Sequence, residues 1–559
     1  MTIKFAAGQT DFYKMFHKEA YHPDITKVYS NYTSRNGRLS NVKGNDEVVF
    51  VGLQYFIKDV LIKEWNETFF ELPKHAAIRA IKRITDNCLG FDYDASHFEA
   101  LHDLGYLPIS IKALPEGVSV PYGVPPVTFV NTVEGFQWLS NYIETVFSTE
   151  NWLIQTSATT AKAYLSNTIK AFDNAGLPHD LIPFMCHDFS MRGMAGRHAA
   201  AMSGFGHLTS FAGTDTIPAI LFAEKYYNAN VENELVGVSV PATEHSTATS
   251  YITSMAQEKG ITKLEAEVDY VRYLMTKVPT GILSHVSDSF DFWKFVSEGL
   301  PMLKEDILSR EGKLVVRPDS GDPVKVLTGL RYENYEVALA EWLDKEELGG
   351  WWLKDKYEVL EKDGKYFNFE ADSDYYPESP EYQFDKELKL LDELPEYEVK
   401  GLIECLGDIF GTTESPTGLK LLPDNIGAIY GDSITLARQQ QIIERLEDKG
   451  YAALVVLGVG SYSYQYVTRD THGSAVKATW VEKAGEGVDV FKDPKTDSKK
   501  KSAKGLMRIE LEEGTYVMYD KQTREQEQQG ELKEVFRDGK LLLSTTLAEI
   551  RQRVKNSIK

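Results

Sequence analysis

Seven short, mostly apolar segments most constrain what this chain can fold into, because each leads within a few residues to glycine, aspartate, arginine or histidine. Amphipathic stretches separate the segments, so the pattern predicts alternating strands and helices. In such folds the carboxyl ends of the strands hold the ligand-binding residues. The segments are 182–186, 209–211, 238–240, 282–286, 314–316, 428–430 and 453–457. The sequence therefore predicts an α/β fold built on a β/α barrel with one site at its strand ends.

The segment Val238–Val240 is interpreted as a buried strand that leads to a polar tip. It ends at Pro241, because proline has no amide hydrogen to give to a sheet ladder. Glu244, His245 and Ser246 follow, and a helix is predicted to start there. This pattern places His245 at the carboxyl end of a strand, where a lone histidine is more often structural than functional.

Composition excludes several classes of protein. A net charge of −22 over 559 residues argues against nucleic acid as a partner, because phosphate contacts need clustered lysine and arginine. No apolar run approaches the roughly 20 residues that cross a bilayer, and the N-terminus lacks the apolar core of a secretory signal. The three cysteines suit neither a disulfide framework nor a zinc site. We expect a cytoplasmic protein without membrane or nucleic-acid partners.

Charge is distributed unevenly along the chain. Residues 331–405 carry 22 acidic against nine basic residues, a net charge of −13. Within this segment Asp363-Gly364 separates two apolar runs, which predicts a β-hairpin. We interpret residues 331–415 as an acidic insertion that decorates the surface and lies outside any subunit interface. The predicted domains are 1–135 (first part of a mixed, β-rich domain), 136–330 (barrel, first part), 331–415 (insertion), 416–475 (barrel, second part) and 476–559 (C-terminal part of the β-rich domain).

Ten motifs, in chain order, resemble the nicotinamide phosphoribosyltransferases, which are type II phosphoribosyltransferases. The motifs are Thr10–Lys14, His187–Phe189 with Arg192–Gly193, Phe211–Thr216, Ser239–Ser246, Val286–Ser289, Arg317–Gly321, Gly431–Asp432, Thr468–Asp470, Phe491–Pro494 and Val535–Lys540. The resemblance covers most of the chain. It implies a barrel-like type II phosphoribosyltransferase core with an additional β-rich domain made from N- and C-terminal segments.

The resemblance also implies a reaction. A 5-phosphoribosyl group would pass from phosphoribosyl pyrophosphate to nicotinamide, giving nicotinamide mononucleotide and pyrophosphate for NAD synthesis. Mg²⁺ would be held mainly by the pyrophosphate, with Asp319 as a possible ligand, because Mg²⁺ prefers oxygen ligands and keeps few protein contacts. ATP would act as an activating co-substrate that phosphorylates His245. The family forms homodimers with shared active sites.

In the resemblance, Phe189 and Tyr13 form a slot for the flat nicotinamide ring, with Tyr13 supplied by the partner subunit. Asp215 would accept the amide N–H of nicotinamide and repel the carboxylate of nicotinate. Each of these residues also has a plainer explanation. Either aromatic ring, taken alone, is more often core packing, and Asp215 could cap the helix that follows it.

The remaining implied roles concern phosphate and ribose. Arg192 and Arg317 match phosphate oxygens through their guanidinium forks, and Asp319 would bind ribose hydroxyls and favour positive charge at the anomeric carbon, although it also fits a simple turn. Further implied substrate-binding residues are Asp11, Arg35, Ser239, Gly431, Asp432, Gly460, Ser461, Arg469, Lys477 and Lys492. The run Gly458–Tyr462 departs from the more glycine-rich loop of the family.

Three other functions remain open at this point. A nicotinate phosphoribosyltransferase shares the expected architecture, but Asp215 would oppose an acidic substrate. A phosphosugar-binding barrel enzyme such as an isomerase needs a paired general acid and base, and the sequence offers none that we can assign. A non-catalytic relative would be expected to lose some of the key residues, yet His245, Asp215, Arg317 and Asp319 are all present.

Overall fold

The computed structural model describes residues 5–344, 351–374, 385–492 and 503–558. The chain divides into two compact units. The first unit comprises 1–166, 188–238 and 461–559, and the second comprises 167–187 and 239–460. Both ends of the chain thus belong to the first unit. The four predicted boundaries between the five domains stay predictions.

An antiparallel sheet of seven strands joins N-terminal and C-terminal segments within the first unit. In sheet order its strands are Glu486–Asp489, Ala475–Lys483, Ile25–Thr33, Val127–Asn131, Ile109–Ala113, Lys533–Arg537 and Lys540–Leu541. Tyr29 pairs with Trp480 on one side and with Val130 on the other, which shows how distant segments meet in one ladder. The predicted β-rich element from both chain ends is therefore present.

The first unit surrounds this sheet with helices and short hairpins. Its other strands are Glu47–Val49, Ser119–Pro121, Gly213–Thr214, Leu506–Glu512 and Thr515–Gln522. Its α-helices are His17–Ala20, Leu53–Tyr55, Lys74–Leu89, Ser96–Leu104, Leu139–Tyr142, Glu144–Asn174 (which ends in the second unit), Arg197–Leu208, Ile217–Tyr227, Ser461–Tyr464, Arg524–Glu527 and Leu547–Asn556. π-helical turns occupy Phe56–Glu64 and Asn66–Phe70, and 3-10 turns occupy Ala6–Gly8, Phe12–Phe16, Met191–Gly193 and Arg469–Thr471.

Aromatic rings fill the core of the first unit. The ring of Phe147 meets those of Tyr32, Phe56 and Phe129 edge to face, with centroids 5.0, 5.1 and 5.0 Å apart. Edge-to-face contact places the positive rim of one ring against the negative face of another, which adds to the free energy of burying the rings. These contacts fix the long helix Glu144–Asn174 against the sheet strands.

Parallel strands form the centre of the second unit. In sheet order they are Cys186–Asp188, Val456–Val459, Ile426–Tyr430, Glu311–Arg317 and Thr280–Val286. Buried apolar residues such as Leu283, Leu314 and Val316 occupy their middles, as expected for strands covered on both faces. The sheet is a half-barrel, so the predicted α/β class is confirmed and the predicted closed β/α barrel is replaced by a partial one.

Helices and turns connect the parallel strands of the second unit. Its α-helices are His245–Lys259, Lys263–Lys277, Phe292–Lys294, Leu300–Ser309, Pro323–Thr328, Tyr335–Asp344, Trp351–Lys356, Glu396–Lys400, Leu402–Phe410 and Leu436–Asp448. A 3-10 turn spans His179–Phe184, a π-helical turn spans Phe295–Gly299, and a two-stranded ribbon pairs Thr413–Glu414 with Lys420–Leu421.

Several predicted strands are displaced or absent. Val238–Val240 is not a buried strand: Ser239 is exposed, and single bridges join Val238 to Gly213 and Ala242 to Ser284. The boundary between the two units falls after Val238, so no continuous ladder forms along the segment. The segment 182–186 is mostly a 3-10 turn that contains Pro183. The strand predicted at 209–211 is reduced to Gly213–Thr214.

The acidic segment contains its own sheet and apolar cluster. Its strands pair in the order Tyr332–Asn334, Val359–Lys362, Lys365–Asp374 and Asp385–Leu394. The predicted hairpin is confirmed, since Lys362 pairs with Lys365 and Asp363 and Gly364 adopt positive φ at its turn. Trp342, Leu353 and Leu360 are fully buried in one cluster. Within the described residues, no helix has the length and apolar character that a membrane crossing requires.

Candidate active site

Three neighbouring parallel strands of the second unit end in functional residues. Thr280–Val286 leads to Asp288, Glu311–Arg317 leads to Asp319, and Ile426–Tyr430 leads to Gly431 and Asp432. Val286 pairs in register with Arg317, so the residues after these two strands emerge at the same edge. The predicted convergence of these positions at the carboxyl ends of parallel strands is therefore observed, and their role in a site stays a prediction.

His245 lies among carboxylates at this edge. Its Nε2 is 3.6 Å from Asp288 Oδ1 and 3.8 Å from Asp319 Oδ2, and its Nδ1 is 3.2 Å from Ser289 Oγ. His245 is the first residue of the helix His245–Lys259, and Glu244 is the N-cap residue of that helix. The backbone amide of Glu244 donates to Thr247 Oγ1 over 3.4 Å. The predicted helix after the tip is confirmed, and His245 is held by contacts at both ring nitrogens.

Asp288 and Ser289 are functional candidates that the sequence did not assign. Asp288 is 5% exposed, its Oδ2 accepts the amide of Asp319 over 2.9 Å, and its Oδ1 has no hydrogen-bond partner in the described part of the chain. A buried carboxylate oxygen without a hydrogen-bond donor is costly unless a cation lies nearby. The sequence did contain a signal for these two residues, because both lie in the Val286–Ser289 motif.

Arg317 is tied to the turn that precedes His245. Its Nη2 donates to the carbonyl oxygen of Thr243 over 2.7 Å. Its own carbonyl oxygen accepts the amide of Ser287 over 3.0 Å. The guanidinium therefore links the strand Glu311–Arg317 to the neighbouring tip and keeps its remaining donors at the edge where His245 lies.

Negative charge accumulates around Tyr430, the last residue of its strand. Its hydroxyl donates to the carbonyl oxygen of Gly321 over 2.9 Å. Burial raises the pKa of the Tyr430 phenol, and the carboxylates of Asp432, Asp288, Asp319 and Asp322 raise it further. The tyrosine thus stays neutral beside four carboxylates, which are placed to receive a cationic group or metal-bound ligand.

Other predicted residues of the second unit have less defined surroundings. Asp432 and Ser239 are exposed, whereas Gly431 and Gly460 are half-buried. A side chain at Gly460 would meet open space, so the glycine leaves room beside the strand Val456–Val459. Their assignment to substrate binding stays a prediction.

In the first unit, a backbone hydrogen bond joins the segment that carries Phe189 to the segment that carries Asp215. The amide of Asp215 donates to the carbonyl oxygen of Asp188 over 3.0 Å. Asp188 is fully buried and its Oδ1 accepts the amide of Ser190 over 2.9 Å, which fixes the turn that carries Phe189. Phe189 is half-buried and Asp215 is exposed. The structure thus brings the predicted ring-slot residue and the predicted amide acceptor together.

The alternative role of Asp215 as a helix cap is wrong. The helix Ile217–Tyr227 has Thr216 as its N-cap residue, followed by Pro218 in its first turn. Since Asp215 precedes the cap position, capping gives no reason for a carboxylate there.

Tyr13 is anchored beside Asp11 in the N-terminal 3-10 turn. Its hydroxyl donates to Asp11 Oδ2 over 3.1 Å, and the same oxygen accepts Thr145 Oγ1 over 2.7 Å. The neighbouring Lys14 is buried and pairs with Glu144 over 2.8 Å. Burial and the Asp11 hydrogen bond raise the pKa of Tyr13, whose side chain is nevertheless 67% exposed. A firmly held turn therefore presents an exposed ring.

Four predicted cations of the first unit lie together. Burial lowers the pKa of Lys477, and the charges of Arg35, Lys492 and Arg469 lower it further, opposed by Glu144. Arg35, Lys492 and Arg469 therefore act electrostatically on Lys477, together with the Glu144 carboxylate. The assignment of these four cations to phosphate binding stays a prediction.

Arg192 and Ser461 occupy adjacent turns in the first unit. A Cβ on Gly193 would lie 2.3 Å from Ser461 Oγ, so glycine is needed after Arg192. The amide of Ala195 donates to Gln465 Oε1 over 2.7 Å and holds the two turns together. Ser461 starts a helix of four residues, Ser461–Tyr464, and its role in phosphate binding stays a prediction.

Comparison with known proteins agrees with this arrangement. Residues 184–540 match the model of the nicotinate phosphoribosyltransferase (NAPRTase) family. The chain is 42% identical to nicotinamide phosphoribosyltransferase of Acinetobacter baylyi over 98% of its own length and 96% of the relative's. The chain belongs to the nicotinate phosphoribosyltransferase family. The prediction of a phosphoribosyltransferase enzyme is confirmed.

More distant relatives cover nearly the whole chain. A nicotinamide phosphoribosyltransferase of Xanthomonas campestris is 28% identical over 97% of this chain and 96% of its own length. Among solved structures, nicotinate-nucleotide pyrophosphorylase from Pyrococcus furiosus superposes with a TM-score of 0.50 at 13% identity, covering 99% of this chain and 94% of that one. The solved structure supports a shared fold for this phosphoribosyltransferase.

The charge cluster gives a testable pH dependence. The lowered pKa of Lys477 means that part of its charge is lost at a lower pH than for an ordinary lysine, and a bound anion raises that pKa again. We expect pyrophosphate binding to take up protons and to weaken as the pH rises through the lowered pKa. Calorimetry in buffers of different ionisation enthalpy measures this uptake. Lys477→Met is the matched control, and an unchanged proton uptake in that variant would contradict the assignment.

Proposed function

We propose that this phosphoribosyltransferase acts on nicotinamide and forms nicotinamide mononucleotide and pyrophosphate from phosphoribosyl pyrophosphate in NAD salvage. The observation that carries the proposal is the exposed residue Asp215, whose amide is bonded to the carbonyl of Asp188, the neighbour of Phe189. A carboxylate accepts hydrogen bonds from a carboxamide but repels a carboxylate substrate. The name of the 42% identical relative agrees with this choice.

The residues of the second unit suit the transfer step. Departure of pyrophosphate leaves positive charge on the ribose, and the carboxylates of Asp319 and Asp432 would stabilise that charge and hold ribose hydroxyls. Arg317 would bind the negative oxygens of the leaving group. Its contact with the Thr243 carbonyl keeps one guanidinium nitrogen, Nη2, fixed. Lys477 and the three cations that act on it in the first unit would bind phosphate groups.

The donor set fits Mg²⁺ carried by pyrophosphate. The buried Asp288 Oδ1 has no hydrogen-bond partner in the described ranges, and hard oxygen ligands of this kind are what Mg²⁺ prefers. Asp288 and Asp319 would hold the metal, which would neutralise phosphate charge. No set of three or more His, Cys, Asp or Glu side chains within those ranges is arranged as a metal cage.

We further propose that ATP phosphorylates His245. Donation from Nδ1 to Ser289 Oγ would leave the Nε2 lone pair as the nucleophile. Nε2 lies 3.6 Å from Asp288 and 3.8 Å from Asp319. Positive charge would develop on the ring as the N–P bond forms and the bond between the γ-phosphate and ADP breaks. The two carboxylates would stabilise that charge. Hydrolysis of the phosphohistidine would drive product formation.

The active form is proposed to be a cytoplasmic homodimer in which Tyr13 reaches the partner's nicotinamide. Phe12, Tyr13 and Phe16 are 45%, 67% and 60% exposed. Three exposed aromatic rings within one turn are unusual for a surface that meets only water. The anchoring of this turn by Lys14 and Asp11 supports a preformed contact for a second copy.

The direct test compares two pyridine substrates. The protein is incubated with phosphoribosyl pyrophosphate and Mg²⁺, with either nicotinamide or nicotinate, and the mononucleotide is quantified. We expect nicotinamide to be used and nicotinate to be a poor substrate. Preference for nicotinate would overturn the proposed substrate.

Asp215→Asn should shift substrate choice. Removal of the charge weakens nicotinamide use and improves nicotinate relative to it, because the amide acceptor is weakened and the repulsion of a carboxylate is lost. We expect the ratio of kcat/KM values to change by roughly tenfold or more, since one hydrogen bond to a charged group is worth about 1.5–3 kcal/mol. Asp180→Asn, at another exposed acid, is the control. Equal ratios in both variants would show that Asp215 does not select the base.

His245→Ala should abolish ATP hydrolysis and strongly lower mononucleotide synthesis while the protein stays folded, because the imidazole is 44% exposed at a helix start. The measurement is acid-labile label on the protein from γ-labelled ATP. His179→Ala removes an exposed histidine elsewhere in the second unit and should keep the label. Acid-labile label on His245→Ala would refute the phosphohistidine assignment.

Shared sites predict complementation between two inactive variants. Tyr13→Ala and Phe189→Ala homodimers should each lack activity, whereas a mixture that exchanges subunits should recover it. In each hybrid one site carries both lesions and the other carries neither, so the ceiling is about half of the original activity per dimer. Proven heterodimers without recovered activity would show that one chain builds each site.

A further inference from the structure

A chain of buried, hydrogen-bonded polar side chains leads to the turn that carries His245. Glu267, on the helix Lys263–Lys277, and His285, on the strand Thr280–Val286, are 2% and 0% exposed. Glu267 Oε1 is 3.1 Å from His285 Nε2, and His285 Nδ1 is 3.2 Å from Thr243 Oγ1. Three side chains from three segments are thus connected without contact with solvent.

The hydrogen bonds of this chain can all form together in one arrangement. Thr243 Oγ1 accepts the amide of Val286 over 2.9 Å. The Thr243 hydroxyl can then donate to His285 Nδ1, and His285 Nε2–H donates to the carboxylate of Glu267. In this arrangement each nitrogen of the ring has one partner, and the ring cannot rotate without losing both bonds.

Because its surroundings are apolar, this series of hydrogen bonds is not explained by a gain in the free energy of unfolding. The ring of His285 packs against those of Tyr270 and Phe295, with centroids 5.8 and 5.6 Å apart. A buried carboxylate and imidazole in such a setting are often no more stabilising than apolar side chains of the same size. Stability therefore gives no sufficient reason for placing Glu267 and His285 here.

Two members of this series, Thr243 and His285, lead to residues of the candidate site. The carbonyl oxygen of Thr243 accepts Arg317 Nη2 over 2.7 Å, and His245 follows two residues later. The carbonyl oxygen of His285 accepts Ser287 Oγ over 2.9 Å, and Asp288, which faces His245, comes next. Glu267 and His285 thus support the backbone on both sides of the His245 imidazole.

We propose that Glu267, His285 and Thr243 form a positioning chain that holds Arg317 and His245 in their productive orientation. This inference rests on the proposed function, in which Arg317 and His245 take part in turnover. The three residues touch no substrate and act through the backbone of the two tips. Loss of these hydrogen bonds leaves the site residues present but allows the turn around Thr243 to move. Small displacements of reacting groups lower turnover strongly.

Thr243→Val removes the hydroxyl without changing the size of the side chain. We expect kcat to fall about tenfold, the effect of about one lost hydrogen bond, with KM for the pyridine base unchanged because the base is bound by other residues. Thr243→Ser keeps the hydroxyl and should restore kcat to within about twofold of the original. Thr276→Val, at an exposed threonine of the helix Lys263–Lys277, controls for the loss of a hydroxyl.

A paired variant separates positioning from stability. Glu267→Met with His285→Leu replaces the buried polar pair by apolar side chains of similar size, which should leave the Tm unchanged or raise it. We expect kcat of this variant to fall about tenfold all the same. If the paired variant folds and keeps its kcat, the proposal is overturned. If it does not fold, Thr243→Val decides, and an unchanged kcat in that variant overturns the proposal.

The choice of assay keeps this test apart from that of the proposed function. The unmodified enzyme is first assayed with nicotinamide and with nicotinate, and the base that it uses is supplied to every variant. A wrong substrate assignment then shows in the unmodified enzyme. A wrong positioning assignment shows only as equal kcat values in Thr243→Val, Thr243→Ser and the paired variant.

Discussion

The parallel pairing of three strands in the second unit is the constraint on which the rest of the site depends. Because Val286 pairs in register with Arg317, the residues after both strands leave the sheet at one edge. Backbone hydrogen bonds fix that edge, and they bring Asp288 and Asp319 to within 4 Å of His245. Side chains far apart in sequence become one charged group only through this alignment.

The two units collect opposite charges. In the second unit, four carboxylates surround Tyr430 and raise the pKa of its phenol beyond the effect of burial. In the first unit, three cations surround Lys477 and lower its pKa beyond the effect of burial. Each arrangement is electrostatically unfavourable by itself, so each is suited to a ligand of the opposite sign.

Strand predictions succeeded where the sheet environment matches the local pattern. The segments 314–316 and 428–430 are interior parallel strands of their sheet, and their continuous apolar character follows from burial on both faces. The segment 282–286 forms the parallel strand at the edge of the same sheet. The segment Val238–Val240 has the same apolar character but passes from one unit to the other. No neighbouring strand runs beside its whole length, and β-propensity cannot reveal the lack of a ladder partner.

The sequence by itself determined the α/β class, the order of the tips, the β-rich element from both chain ends and the identity of most candidate residues. Tertiary structure alone decided which of them meet. It placed Asp288 and Ser289 against His245, gathered Arg35, Arg469, Lys477 and Lys492, and connected Glu267 to the Thr243 turn. The physical reason is the separation along the sequence over which each effect acts. Periodicity and turn chemistry act over a few residues, whereas these contacts join distant segments that only sheet pairing and core packing bring together.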